Sequence, residues 1–243
     1  MLADSPPINA RVGSFEPEVH LPRTARYALL DFIADELPRW RDHPGREPEI
    51  AEVALTSQLR RHLNSAARIS TAWNWIRFIQ FGTEDPDETK PGRTIDLTSE
   101  PCGVVLFIEG RRHTQFDTLL PIECKRLPTP KGKDRDKREY VVSAKGSTGG
   151  IQRFKFGHHG AAHRVAGMIA YVQERTSDHW LKQVNGWIGE LAKETDSGWS
   201  ASDTLQTLKD YPAAEVVCRL CSRHKRQNGR EAIDLRHLWI KMD

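Results

Sequence analysis

Leu119-Leu120-Pro121-Ile122-Glu123-Cys124-Lys125 is an apolar run that ends in a carboxylate and an ammonium two residues apart. On an extended strand, residues i and i+2 share a face, so Glu123 and Lys125 project side by side. Desolvating two such charges is costly, and a divalent metal with a phosphate is a natural offset. Cutting a phosphodiester with Mg²⁺ (or Mn²⁺) needs hard oxygen ligands. It also needs a positive group near the attacking water or the scissile phosphate. Glu123 and the Cys124 backbone carbonyl can be the ligands, and Lys125 is the positive group. A second carboxylate must come from elsewhere. Asp117 has the right strand parity, but six extended residues span roughly 20 Å, too far to share an ion. Asp96, on a separate short strand, can reach across a ladder whose neighbours lie about 5 Å apart, and is the choice. Glu52, near the start of a helix, is a further candidate. Glu49, three residues earlier, reads as an acid favouring the positive end of that helix.

These residues need elements to hold them. Apolar residues at helical spacing predict a helix over 24–41, bent or ended by Pro38. A second helix is expected over 48–64, with Pro48 in its first turn. Residues 73–81 (WNWIRFIQF) carry the clearest strand signal. The acidic loop 83–92 follows, with Asp85 and Asp87 read as solvated. Short strands are expected over 93–97, 104–108 and 118–126. Residues 125–155 carry ten Lys and Arg against three acids, and their prolines and glycines make most of this stretch a long loop. That loop leaves the end of the Glu123–Lys125 strand, where a polyanion would have to lie. Lys131, Lys133 and Lys145 are therefore its candidate nucleic-acid contacts. Its Gly-rich piece lacks the G-x-x-x-x-G-K-[ST] spacing of a phosphate-cradling loop. A short helix over 150–159, a buried strand over 165–172 and an amphipathic helix over 178–193 come next. Two late strands, 216–220 and 233–240, are joined by a turn at Asn228-Gly229. The expectation is a mixed α/β layered domain. Residues 1–45 form an N-terminal arm and helix, and 46–243 form the main domain with its C-terminal strand pair.

Composition sets the frame. A chain of 243 residues is long enough for a sizeable core. A net charge of +3 says little about partners, so local charge has to be read instead. Four cysteines do not suggest a disulfide framework, and thiols kept reduced in a cytoplasm are the simpler reading. No apolar run approaches the ~20 residues of a membrane span. The Pro-rich start lacks the layout of a signal peptide and reads as a surface or loosely ordered arm.

Asp96, then Glu123-Cys124-Lys125 on an apolar strand, preceded by a helix bearing Glu52, resembles the PD-(D/E)XK nuclease superfamily. Ile95, not Pro, precedes the Asp here. The resemblance covers roughly residues 49–193 and implies a restriction-endonuclease-like fold with an αβββαβ core. It implies that the Asp and the E-x-K triplet bind the metal, joined by the helix Glu. Gln152 and Arg153, opening the helix after E-x-K, are implied as secondary site residues and nucleic-acid contacts. The implied activity is metal-dependent cleavage of DNA, in bacterial restriction, antiphage defence or repair. A homodimer or a partner subunit would supply specificity. An RNase, or a catalytically silent binding module on the same fold, is the alternative.

Two other constellations are weaker. His159 and His163, four apart, could pair for Zn²⁺ on a helix, but no third ligand is placed, and His158 beside them suggests a polar surface. Cys218-x-x-Cys221 with His224 could open a zinc site. On an extended segment, however, the two cysteines point to opposite faces.

Overall fold

Eight consecutive residues, Val165–Val172, are buried on both faces, as a strand flanked by parallel neighbours must be. The computed structural model describes residues 17–72, 74–87, 92–133, 135–143, 149–208, 216–227 and 229–243. In chain order its strands are β1 (Glu18–Leu21), β2 (Ile79–Gly82), β3 (Asp85–Pro86), β4 (Thr94–Ile95), β5 (Leu97–Pro101) and β6 (Val105–Ile108). They continue with β7 (Arg111–His113), β8 (Leu120–Leu127), β9 (Val165–Val172), β10 (Gln206–Thr207), β11 (Val217–His224) and β12 (Ile233–Lys241). The helices are α1 (Ala25–Arg41), α2 (Glu52–Ile69), α3 (Gly150–Lys155) and α4 (Ser177–Leu191). The main sheet has seven strands in the order β10-β11-β12-β9-β8-β5-β2, and β1-β6-β7 and β3-β4 form smaller sheets. β9 runs parallel to β8 and β12, and the other main-sheet pairs are antiparallel. This is a mixed α/β protein.

The period-2 alternation of the central strands separates two apolar layers. Ile122, Cys124, Ile169, Tyr171, Leu238 and Ile240 pack into the first layer with Ile33 and Leu37 of α1 and Leu55 and Leu59 of α2. Ala166, Met168, Ala170, Leu235 and Trp239 point the other way, onto Ile151 and Phe154 of α3 and Trp180, Val184 and Trp187 of α4. Helices α1 and α2 thus cover one face of the sheet and α3 and α4 the other. Among the described residues no helix is long and apolar enough to cross a membrane, and all four cysteines are free.

Several expectations need correction. Helix α1 covers its expected span, Ala25–Arg41, but Pro38 does not end it, because a proline in the last turn forfeits only one helical bond. Helix α2 starts at Glu52 rather than Pro48 and continues to Ile69. Glu49 instead turns back on the chain, its Oε1 accepting from the Ile50 and Ala51 amides at 2.8 and 3.1 Å. The aromatic run 73–81 is not one strand. Ile76–Phe78 is a 3₁₀ turn, with Ile76 packed into the core, and the strand begins only at Ile79; Trp73 lies outside the described residues. Asp87 is buried rather than solvated and accepts from the Gly160 amide at 3.0 Å, while Asp85 accepts from the Thr98 hydroxyl. Part of the expected N-terminal arm, Glu18–Leu21, is a strand parallel to β6; residues 1–16 lie outside the described ones. So does Asn228 of the expected hairpin turn, although the strands on either side pair antiparallel as expected.

Candidate active site

Strand β8 alternates as its sequence requires: Ile122 and Cys124 face α1 and α2, and Glu123 and Lys125 face α3. Both charged residues are buried, Glu123 completely. Asp96 owes its position to a change of sheet. Ile95 pairs with Asp85 in the small sheet, and Leu97 pairs with Ile122 in the main one. Asp96 is the bend between them, so its side chain is free to accept the Cys124 amide on Oδ2 at 2.9 Å. Glu52 opens α2, where the positive end of the helix favours a carboxylate. Its Oε2 accepts the Arg126 amide at 3.1 Å.

All of these groups meet at one atom. Lys125 Nζ lies 2.8 Å from the Cys124 carbonyl, 2.9 Å from Glu123 Oε1, 3.2 Å from Asp96 Oδ2 and 3.3 Å from Glu52 Oε1. Behind it, Arg153 pairs with Glu123 Oε1, and His159 Nδ1 lies 3.2 Å from Oε2. Helix α3 brings Arg153 this close because it begins with glycine. A Cβ on Gly150 would lie 2.7 Å from Met168 Cε and 2.8 Å from the Tyr140 carbonyl.

The charges follow from this packing. Burial alone would raise the Glu123 pKa, but Lys125, His159 and Arg153 hold it below the usual carboxylate range. Burial would likewise strip the proton from Lys125, yet Glu123, Asp96 and Glu52 keep it an ammonium, with a pKa well above the ordinary value. Lys125 is therefore a hydrogen-bond donor and a charge, not a base. Asp96 behaves differently. Burial and the Glu123 charge push its pKa up to about 6 against the pull of Lys125 and the Cys124 amide. The buried Cys124 thiol is pushed well above its ordinary value by burial and the Asp96 charge, so only its carbonyl is available as a metal ligand.

The donor set suits a hard divalent cation: three carboxylates and a backbone carbonyl, all oxygen. Among the described residues no group of three or more His, Cys, Asp or Glu side chains is already arranged around a metal position. The oxygens surround an ammonium instead, and a cation entering here would take over some of the bonds that Lys125 now makes.

Of the residues singled out in the sequence, Glu52, Asp96, Glu123, Cys124, Lys125 and Arg153 converge. Gln152 does not join them: it is buried, and its Oε1 accepts from the Ser143 amide at 3.3 Å. Lys131 and Lys133 are exposed on the loop after β8, and Lys145 lies outside the described residues. Asp117 accepts from the Thr114 amide and hydroxyl at 2.7 and 2.8 Å in the turn before β8. Nothing in the sequence marks His159 as a partner of Glu123. It is buried, as is His163, rather than part of a polar surface. His224 is also buried and bonds Asp203 rather than joining Cys218 and Cys221. The chain matches no family model, no curated protein and no solved structure.

Proposed function

We propose that this protein is a Mg²⁺- or Mn²⁺-dependent nuclease of the PD-(D/E)XK type, acting on DNA. The reading rests on one observation: three carboxylates and a carbonyl from α2, the β4–β5 bend and β8 gather around the Lys125 ammonium. The order of elements supports it: with the small-sheet strands β3, β4, β6 and β7 set aside as insertions, α2, β2, β5, β8, α3 and β9 come in the αβββαβ order of a restriction-endonuclease-like core. Asp96, Glu123 and the Cys124 carbonyl would hold the cation, with Glu52 beside them. The bound cation would supply Lewis acidity toward the scissile phosphate and lower the pKa of a bound water. Lys125 would orient the attacking water and offset charge developing on the phosphate. Arg153 and His159 hold Glu123 ionised and fix its direction. Bacterial restriction, antiphage defence or repair is the setting that fits such an activity.

The test is cleavage of labelled DNA with Mg²⁺, Mn²⁺ or EDTA, beside Lys125→Ala. Cutting should stop with EDTA and fall at least about a hundredfold in the variant. Cleavage that survives both changes would refute the mechanism. One observation favours a second reading, a silent binding module: Glu123 is sealed from solvent with both oxygens engaged. Metal-independent DNA binding without cutting would support that reading, and cutting of RNA alone would shift the substrate.

A further inference from the structure

At the opposite end of the sheet from Lys125, the start of α1 faces the β6–β7 turn and the start of β9 across a cleft of about 740 Å³. Five arginines line it: Arg23, Arg26, Arg111, Arg164 and Arg223. Among the described residues three acids, Glu109, Glu231 and Asp234, share the lining. The separation from Lys125 is real: Lys125 pairs with Ala170, and the cleft is lined by Val165, five residues down β9. At about 3.3 Å per residue that is roughly 16 Å.

We propose that this cleft is a binding site for a small phosphorylated compound carrying at least two negative charges, of the nucleotide or diphosphate class. Three features point to that chemistry. Guanidinium forks match phosphate oxygens two at a time, and the arginines outnumber the acids. Three of the five are tied to carboxylates, Arg23 to Glu109, Arg164 to Glu231 and Arg223 to Asp234. Each of these pairs is solvent-facing, and such pairs are cheap to exchange. Helix α1 also begins here: its first turn has no acidic residue and Thr24 makes no side-chain cap bond, the Ala25 amide alone being taken up locally, by the Pro22 carbonyl at 3.0 Å. A 17-residue helix thus presents its positive end beside the arginines, a setting that favours an anion. The cleft volume falls within the range of small-molecule sites, ~300–1,000 Å³. Arg26 is held in place by its Nε, which donates to the Leu119 carbonyl at 3.0 Å, and burial lowers its pKa from the ordinary value.

Calorimetric titration of the full chain with inorganic pyrophosphate, at fixed ionic strength, tests the site. Saturable binding to one site is expected, at least tenfold weaker in the Arg111→Ala/Arg164→Ala double variant. Arg111→Lys, which keeps the charge and loses the fork, should also weaken it, and gives a readout if the double variant folds poorly. Lys125→Ala should bind pyrophosphate as the unaltered protein does, so this result stands or falls apart from the nuclease reading. No heat beyond a sodium chloride control, or equal affinity in all these variants, overturns the proposal. A 5′-phosphorylated oligonucleotide that displaces pyrophosphate, where its unphosphorylated twin does not, would make a DNA end the source of the phosphate. Failure of both to compete would leave a free phosphorylated compound as the ligand.

Discussion

Glu123 is the residue on which structure and chemistry meet, because removing it takes from Lys125 and Arg153 the buried carboxylate they share, leaving Lys125 with only Asp96 and Glu52. A buried ion pair broken on one side costs about 3–5 kcal/mol. Glu123→Ala should therefore lower the unfolding free energy by that order, measured by urea titration. Asp96→Asn is the contrasting change. Its amide oxygen can still accept the Cys124 N–H, so the fold should survive with a small shift in urea midpoint. DNA cleavage should nevertheless fall at least about a hundredfold, since a neutral amide is a poor partner for a divalent cation. A large loss of stability in Asp96→Asn would make the residue structural instead. The residues of this site are legible in sequence to different degrees. Glu123 and Lys125 stand out because charges two apart close an apolar run; Asp96 follows from reach across a ladder, although it proves to be a bend between two strands rather than a strand residue. Arg153 comes only through resemblance. His159 carries no local signal, because the loop that returns it to Glu123 has no periodicity to read.

Among the elements, β9, α4 and β12 are recoverable almost to their ends, since continuous burial or a clear helical stripe marks them. The stretch 73–81 misleads because aromatic and β-branched residues also suit a 3₁₀ turn whose buried Ile76 packs under α2. The start of α2 misleads because Glu49 satisfies the Ile50 and Ala51 amides from outside the helix. Least legible is the buried polar chain that ties α3 to β11 and β12. The Trp239 indole donates to Tyr140 Oη at 2.7 Å, and with both imidazoles neutral and Asp203 accepting at the far end, the Tyr140 hydroxyl donates to His237 Nδ1 at 2.8 Å. His237 Nε2 then donates to Ser222 Oγ at 2.8 Å, and Ser222 donates to His224 Nε2 at 2.7 Å. The chain closes with His224 Nδ1 donating to Asp203 at 2.8 Å, and Lys155 bonding the same carboxylate at 3.0 Å. This ordering needs one proton on each imidazole, in keeping with burial holding both histidines below their ordinary pKa. At Asp203, burial works upward, but the contacts with His224 and Lys155 win and bring its pKa down to about 2. A folded-state pKa below the unfolded value, about 3.9, contributes stability that is present above pH ~4 and lost as pH falls toward ~2. Melting midpoints measured across that window should fall in the unaltered protein and fall less steeply in Asp203→Asn. Equal slopes would mean that other carboxylates govern the acid limb.

For the whole molecule, the charge balance is nearly neutral, +3 over 243 residues, so any grip on DNA must come from where the positive charges sit. Much of the loop after β8 is internally compensated: Arg135 bonds Glu139, and Arg138 bonds Asp136. The same loop folds Tyr140 and Val141 fully into the core, so it is less free than its prolines and glycines suggest. Lys131 and Lys133 remain exposed at its near end, a short step along the chain from Lys125. If they track the backbone of the proposed substrate, each contact releases counterions from a phosphate. The slope of log binding constant against log salt then changes by about 0.9 for each phosphate lost. Replacing both lysines by alanine should therefore make that slope shallower by about 2 and weaken binding alike across DNA sequences. Fluorescence anisotropy over a series of salt concentrations, with Ca²⁺ in place of Mg²⁺ to hold back cleavage, measures it. An unchanged slope would place the DNA on another face, with the Lys125 site approached from the side of the exposed Ile50 and Val53 at the start of α2.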